Sequence, residues 1–152
     1  MPQTADAVRT AEESAEVTER DRCGTEGTIL VVDDNLLLRD ALVEMLRYSG
    51  FVVLSAGDGA EALRIAANHH GAIDLLVTDV SMPGMTGPVL ARHLCAVRPD
   101  MAVLFISAYI GAVTDLLHVW LRPPRFLPKP FTPDALLSEV RSALAAKPRS
   151  LA

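Results

Sequence analysis

Five side chains that could share one reaction stand at the carboxyl ends of apolar runs: the pair Asp33-Asp34, then Asp79, Ser107 and Lys129. Two carboxylates roughly 4 Å apart repel by about 4 kcal/mol at an effective dielectric of about 20. Three acids gathered in one crevice therefore need a cation or a shifted pKa. A hard divalent ion with oxygen ligands meets that need most simply. Mg²⁺ bound by one or two carboxylates, with water and a phosphoryl oxygen, suits such a site. Taken singly, each aspartate reads equally well as a helix cap or a loop acid, and Ser107 alone reads as a structural hydroxyl.

These groups meet only if the runs before them are neighbouring strands. From Thr28 onward, short apolar runs alternate with segments of helical period, the pattern of an α/β protein with a parallel sheet. Strands are expected at TILVV (28–32), FVVLSA (51–56), DLLVT (74–78), MAVLFIS (101–107) and RFLP (125–128). Leu38, Ala41, Leu42, Met45 and Leu46 recur at helical spacing before Gly50, which ends that helix. Asp58 with Glu61 resembles a capping box opening a second helix, with Ala62, Leu63, Ala66 and Ala67 as its buried stripe. A third helix is expected over 87–97 and a fourth over about 111–121. Thr132 and Pro133 read as an N-cap and a first-turn proline, opening a last helix through Leu137, Val140 and Leu144. Strict alternation predicts a doubly wound three-layer sandwich. In such open parallel sheets the functional crevice lies beyond the carboxyl ends of the strands.

The segments VVDDN, TDVSMPGMTG, FISA and FLPKPF follow one another on successive strand ends. In that order they resemble the receiver domains of two-component response regulators, over about residues 28–145. The resemblance implies a flavodoxin-like (βα)5 fold with strand order 2-1-3-4-5. It makes Asp79 the phosphoacceptor, a carboxylate nucleophile that forms an aspartyl-phosphate. Asp34 would bind Mg²⁺ directly and Asp33 mainly through coordinated water, with Asp79 and the backbone carbonyl of Ser81 completing the protein ligands. Lys129 would pair with a phosphoryl oxygen, its bond to Pro130 being cis as in the family. Ser107 stands where a hydroxyl moves to the phosphoryl group, and Phe126 where a switch aromatic follows it inward. Ser81 and Tyr109 occupy positions that tune phosphoryl lifetime in the family.

Three departures stand out. Phe126 has no hydroxyl where many members carry tyrosine. Thr86 replaces the acid usual before Gly87 and should matter little. The prolines of LRPPR (121–125) stiffen the approach to the fifth strand.

Composition narrows the rest. The chain is 50% hydrophobic and 22% charged, which suits one globular domain of 152 residues. Residues 1–26 carry seven acids against three arginines and read as a disordered acidic tail. That leaves 12 acids against 11 bases in residues 27–152. The expected division is a tail over 1–26, a receiver domain over 27–147 and a short tail over 148–152. A net charge of -5 argues against a direct nucleic-acid surface, and no run reaches membrane-spanning length. The expected location is the cytoplasm.

Cys95 reads as a small core residue and Cys23 as an incidental thiol, with no disulfide or zinc spacing. His69, His70, His93 and His118 lack ligand spacing and read as surface or packing residues. The run around Trp120 is too apolar for one buried face, so core packing and a partner or homodimer surface both stay open.

As a receiver the chain would take its phosphoryl group from a histidine kinase or a histidine phosphotransfer protein. It would catalyse only its own phosphorylation and dephosphorylation, and would act on a downstream protein partner. The pattern also resembles receivers attached to hybrid histidine kinases. Residues 146–152 leave no room for an output domain, so a stand-alone protein is expected. A pseudo-receiver working only as an interaction module is the alternative. An aspartate-nucleophile phosphatase fits poorly, because Asn35 stands where an acid is needed two positions after Asp33. A flavodoxin-like flavin carrier fails, because acids follow the first strand where a phosphate-cradling loop is required.

Overall fold

The computed structural model describes residues 27–108 and 124–146. In chain order they form β1 (Thr28–Val32), α1 (Leu36–Tyr48), β2 (Val52–Ala56), α2 (Gly59–Asn68), β3 (Leu75–Asp79), α3 (Gly87–Val97), β4 (Ala102–Ser107), β5 (Arg125–Pro128) and α4 (Pro133–Ala146). The five strands make one sheet in the order β2-β1-β3-β4-β5, every pair parallel. The expected doubly wound, flavodoxin-like architecture and strand order hold. The helix expected over 111–121, and with it Tyr109, His118 and Trp120, lies outside the described residues, as do Cys23 and the acidic tail.

Period-two alternation along each strand sends successive side chains to opposite faces. Ile29, Val31, Leu75, Val77, Leu104 and Ile106 pack with α1 and α4 residues such as Leu42, Leu46, Leu136 and Val140. Leu30, Val32, Leu76, Val103 and Phe105 pack with Ala62, Ala66, Leu90 and Leu94 of α2 and α3. Both faces of the sheet are thus covered, which is why its strands read as nearly continuous apolar runs. β3 ends one residue later than the sequence suggests, because Asp79 pairs in register with Ile106 of β4.

All four helices begin on a side-chain oxygen that accepts a backbone N–H, a contact worth about 1 kcal/mol each. Asn35 accepts from Leu38 at 3.1 Å, Asp58 from Glu61 at 2.8 Å, Thr86 from Val89 at 3.4 Å and Thr132 from Ala135 at 3.1 Å. The Thr86 contact opens the helix that follows the Asp79 loop, a capping role that threonine and an acid can both fill. The capping box at Asp58 is also modified. Glu61 Oε1 accepts from the N–H of Gly57 at 2.7 Å, one residue before the cap.

Gly50 ends α1 as expected, with φ at +102°, a conformation that side chains with a Cβ rarely adopt. Two stripe assignments move. On α1, Val43 is buried and Ala41 is exposed; on α2, Ala67 is exposed beside buried Ala66. On α2 the stripe otherwise holds, with Ala62 and Ala66 buried and Leu63 packed against them; on α1 the buried face is turned toward Val43.

Candidate functional site

The fold brings the strand ends of β1 and β3 side by side, and with them three carboxylates. Oxygens of Asp33, Asp34 and Asp79 lie within 4.8 Å of one another. Asp33 is buried, Asp79 nearly so, and Asp34 exposed. The backbone of Asp33 is tied on both sides: its N–H donates to Ala56 at 3.2 Å, and its C=O accepts from Arg39 Nη1 at 2.8 Å. Its Oδ1 accepts from the N–H of Asn35 at 2.8 Å. Its Oδ2 is buried without a hydrogen-bond partner.

Asp79 is held by its neighbours in β4 and α3. The N–H of Val80 donates to Ile106 at 3.2 Å, and the N–H of Gly87 returns to Val80 at 2.9 Å. A Cβ on Gly87 would overlap the Asp79 carbonyl oxygen, so only glycine lets α3 begin this close to the strand end. Thr78 Oγ1 donates to the same carbonyl at 3.0 Å. Gly84, with φ at +81°, turns the loop between Asp79 and α3. Ser81 is exposed in that loop.

Across the crevice, the N–H of Lys129 donates to the Ser107 carbonyl at 2.9 Å, joining the ends of β4 and β5. The Lys129–Pro130 bond is cis, as the resemblance implies. Lys129 Nζ reaches Asp79 Oδ1 at 3.4 Å and stands 4.0 Å from Asp33 Oδ2. Ser107 is buried at the end of β4. Phe126 is half-buried and stacks on Phe105, ring centroids 5.6 Å apart.

One ammonium against three carboxylates leaves the crevice net negative. Burial holds the Asp33 carboxyl above the usual carboxylate range. The charges of Asp79 and Asp34 push the same way, while the Asn35 N–H and Lys129 pull it down. A buried carboxylate oxygen without a donor, beside two further acids, is what an oxygen-ligated cation satisfies. The donor set therefore fits the Mg²⁺ expected from sequence.

Asp33, Asp34, Asp79 and Lys129 thus come together as expected, with Ser107 at the adjoining strand end. Phe126 lies one layer beneath, against Phe105. His69, His70 and His93 are not part of the crevice. Cys95 is half-buried and packs against the core, in keeping with its reading. Two contributors escaped the sequence reading. Asn35 caps α1, a role that its place before Leu36 signals. Arg39 carries no motif signal of its own.

A family model described as the response regulator receiver domain matches residues 29–141, and the chain belongs to that family. Among curated relatives, the sensor kinase CckA of Brucella abortus is 36% identical over 117 residues, spanning 77% of this chain and 12% of CckA. The response regulator MprA of a Mycobacterium species is 34% identical over 116 residues, spanning 76% of this chain and 50% of MprA. The chain therefore spans half or less of the length of these relatives. Among solved structures, the receiver domain of the hybrid histidine kinase CckA superposes with a TM-score of 0.66 at 38% identity, covering 78% of this chain and 99% of that one. The response regulator protein TrrA of Thermotoga maritima, solved in complex with Mg(2+)-BeF, gives 0.66 at 30% identity over 78% of this chain and 99% of that one. The protein is a receiver domain of the two-component signalling class. None of the helices among the described residues is long and apolar enough to cross a membrane.

Proposed function

We propose that this chain accepts a phosphoryl group on Asp79 from a phosphohistidine donor and uses the aspartyl-phosphate as a reversible switch in the cytoplasm. The observation that carries the reading is the crevice itself: three carboxylates within 4.8 Å of one another, with Lys129 3.4 Å from Asp79. A carboxylate oxygen of Asp79 attacks phosphorus and forms the new O–P bond. The N–P bond of the donor imidazole breaks, its electron pair staying on that nitrogen.

Asp33, Asp34, Asp79 and the backbone carbonyl of Ser81 would hold Mg²⁺. Bound there, the ion supplies positive charge that neutralises phosphoryl oxygens as the group transfers. Lys129 binds a further phosphoryl oxygen, and the Ser107 hydroxyl donates to another. The phosphoryl group brings roughly -1.5 to -2 charges and three acceptor oxygens, enough to draw Ser107 toward it and let Phe126 repack against Phe105. The donor is a histidine kinase or histidine phosphotransfer protein, the output is a change in binding to a protein partner, and the chemistry is confined to the chain's own phosphorylation and dephosphorylation.

Intact mass after incubation with acetyl phosphate and Mg²⁺ tests this. A one-phosphate shift is expected, lost with EDTA and lost in Asp79→Asn. Folded protein that gains no phosphate from acetyl phosphate or from a phosphohistidine donor would make the chain an unphosphorylated interaction module instead.

A further inference from the structure

Three hydrogen bonds fix Asp33, and one of them differs in kind. The N–H to Ala56 of β2 and the Oδ1 acceptance from Asn35 use backbone groups, whereas the carbonyl is held by a side chain, Arg39 Nη1 at 2.8 Å. That carbonyl shares a planar peptide unit with the nitrogen of Asp34. Holding it sets the plane from which Asp34 leaves the strand. Asp34 is the exposed member of the three acids, so its direction depends most on that plane.

The guanidinium has a seat prepared for it. A Cβ at position 57 would lie 2.8 Å from Arg39 Nη1 and 3.6 Å from Glu61 Oε1. Glu61 is itself anchored there, accepting from the N–H of Gly57 at 2.7 Å. The turn between β2 and α2 therefore leaves an open space where the arginine crosses, with the Glu61 carboxylate of α2 bound to its backbone. Gly57 is not among the glycines of positive φ, so its lack of a side chain serves this space rather than a turn conformation.

We propose that Arg39 is a positioning residue for the metal-binding acids, orienting Asp34 through the Asp33 carbonyl, and that Gly57 is its seat. This rests on the reading of the acids as a Mg²⁺ site. Removing a partner that orients a metal-binding group typically weakens metal binding by about 10- to 100-fold.

Calorimetric titration of the full chain with MgCl₂ tests it on wild type, Arg39→Gln, Gly57→Ala and the double variant, with melting in EDTA measured in parallel. Arg39→Gln should weaken Mg²⁺ binding about tenfold while the EDTA melting temperature falls little. Gly57→Ala, which keeps the arginine but crowds it, should weaken binding in the same direction and less. The double variant should bind no worse than Arg39→Gln alone, because the glycine acts only through the arginine. In metal-free protein the Asp34 amide resonance should move in both single variants.

An unchanged Mg²⁺ Kd in Arg39→Gln, with wild type binding normally, would overturn the positioning role alone. Additive losses in the double variant would overturn the seat. A wild type that binds no Mg²⁺ would overturn the inference together with the metal reading beneath it. Should Arg39→Gln fail to fold, Gly57→Ala and its amide shift decide the matter.

Discussion

The two sides of the crevice are built in opposite ways. On the acid side, hydrogen bonds with the Ala56 carbonyl, the Arg39 side chain and the Asn35 N–H immobilise Asp33, and the close start of α3 immobilises the strand end at Asp79. On the basic side a single long side chain serves two acids, 3.4 Å from one and 4.0 Å from the other. The rigid side carries unpaired charge and the pliant side carries the partial remedy. Acids held in place by such bonds keep their geometry at the expense of stability, ready for a cation. A mobile ammonium can follow a phosphoryl group as it arrives.

The sharpest way to break this contrast is to disturb the rigid side through its backbone. In Gly87→Ala the new methyl overlaps the Asp79 carbonyl, and its next contacts, Asp79 C at 3.1 Å and Val80 Cα at 3.2 Å, are also backbone. No flexible side chain can give way. Overpacking of this kind costs about 3 kcal/mol, read as a lower urea midpoint with unchanged m. A variant as stable as wild type would mean that the strand end is pliant after all.

A smaller effect of opposite sign is expected from Asp33→Asn. The amide keeps an acceptor for Asn35 and removes the buried charge, so metal-free protein should gain about 1–2 kcal/mol. Burial raises the folded-state pKa of Asp33 above its ordinary 3.8, so ionisation opposes folding. The stability tied to this group is complete below 3.8 and is lost as pH rises through the higher folded value. The advantage of the asparagine variant should therefore grow with pH in EDTA and shrink when Mg²⁺ is added. A pH-independent difference would remove charge burial as its cause.

Much of this site could be read from residue types. Aspartates at two strand ends, a lysine before proline and the glycine-containing loop after Asp79 are local features whose order along the chain fixes where they meet. Helix starts were legible for the same reason, since Asp58 and Thr132 act within one turn. The Asn35 cap is equally local.

What stayed out of reach joins separate parts of the chain. Arg39 acts through a backbone carbonyl and over a glycine of another loop, and neither partner advertises a preference for arginine. The depth of Asp33 depends on strands on both sides of β1, whereas adjacent Asp34, of identical chemistry, is exposed. Burial at Val43 rather than Ala41 follows from how α1 lies on the sheet, which the period of its apolar residues leaves open by about one residue.

The finest test of the contrast is Lys129→Met. If the lysine only compensates preformed acids, it competes with a metal ion for the same negative charge, and its removal should tighten Mg²⁺ binding. Its side chain is 27% exposed, so solvent screening keeps the gain modest. Coupling between partly exposed charges is worth below about 1 kcal/mol, or less than about fivefold in Kd. Phosphorylation by acetyl phosphate should slow in the same variant, because a phosphoryl oxygen loses its ammonium partner. Tighter metal binding with slower transfer would separate the two sides of the crevice by function as well as construction. Weaker metal binding would instead mean that Lys129 helps organise the carboxylates, and that the acid side is less self-sufficient than its backbone bonds imply.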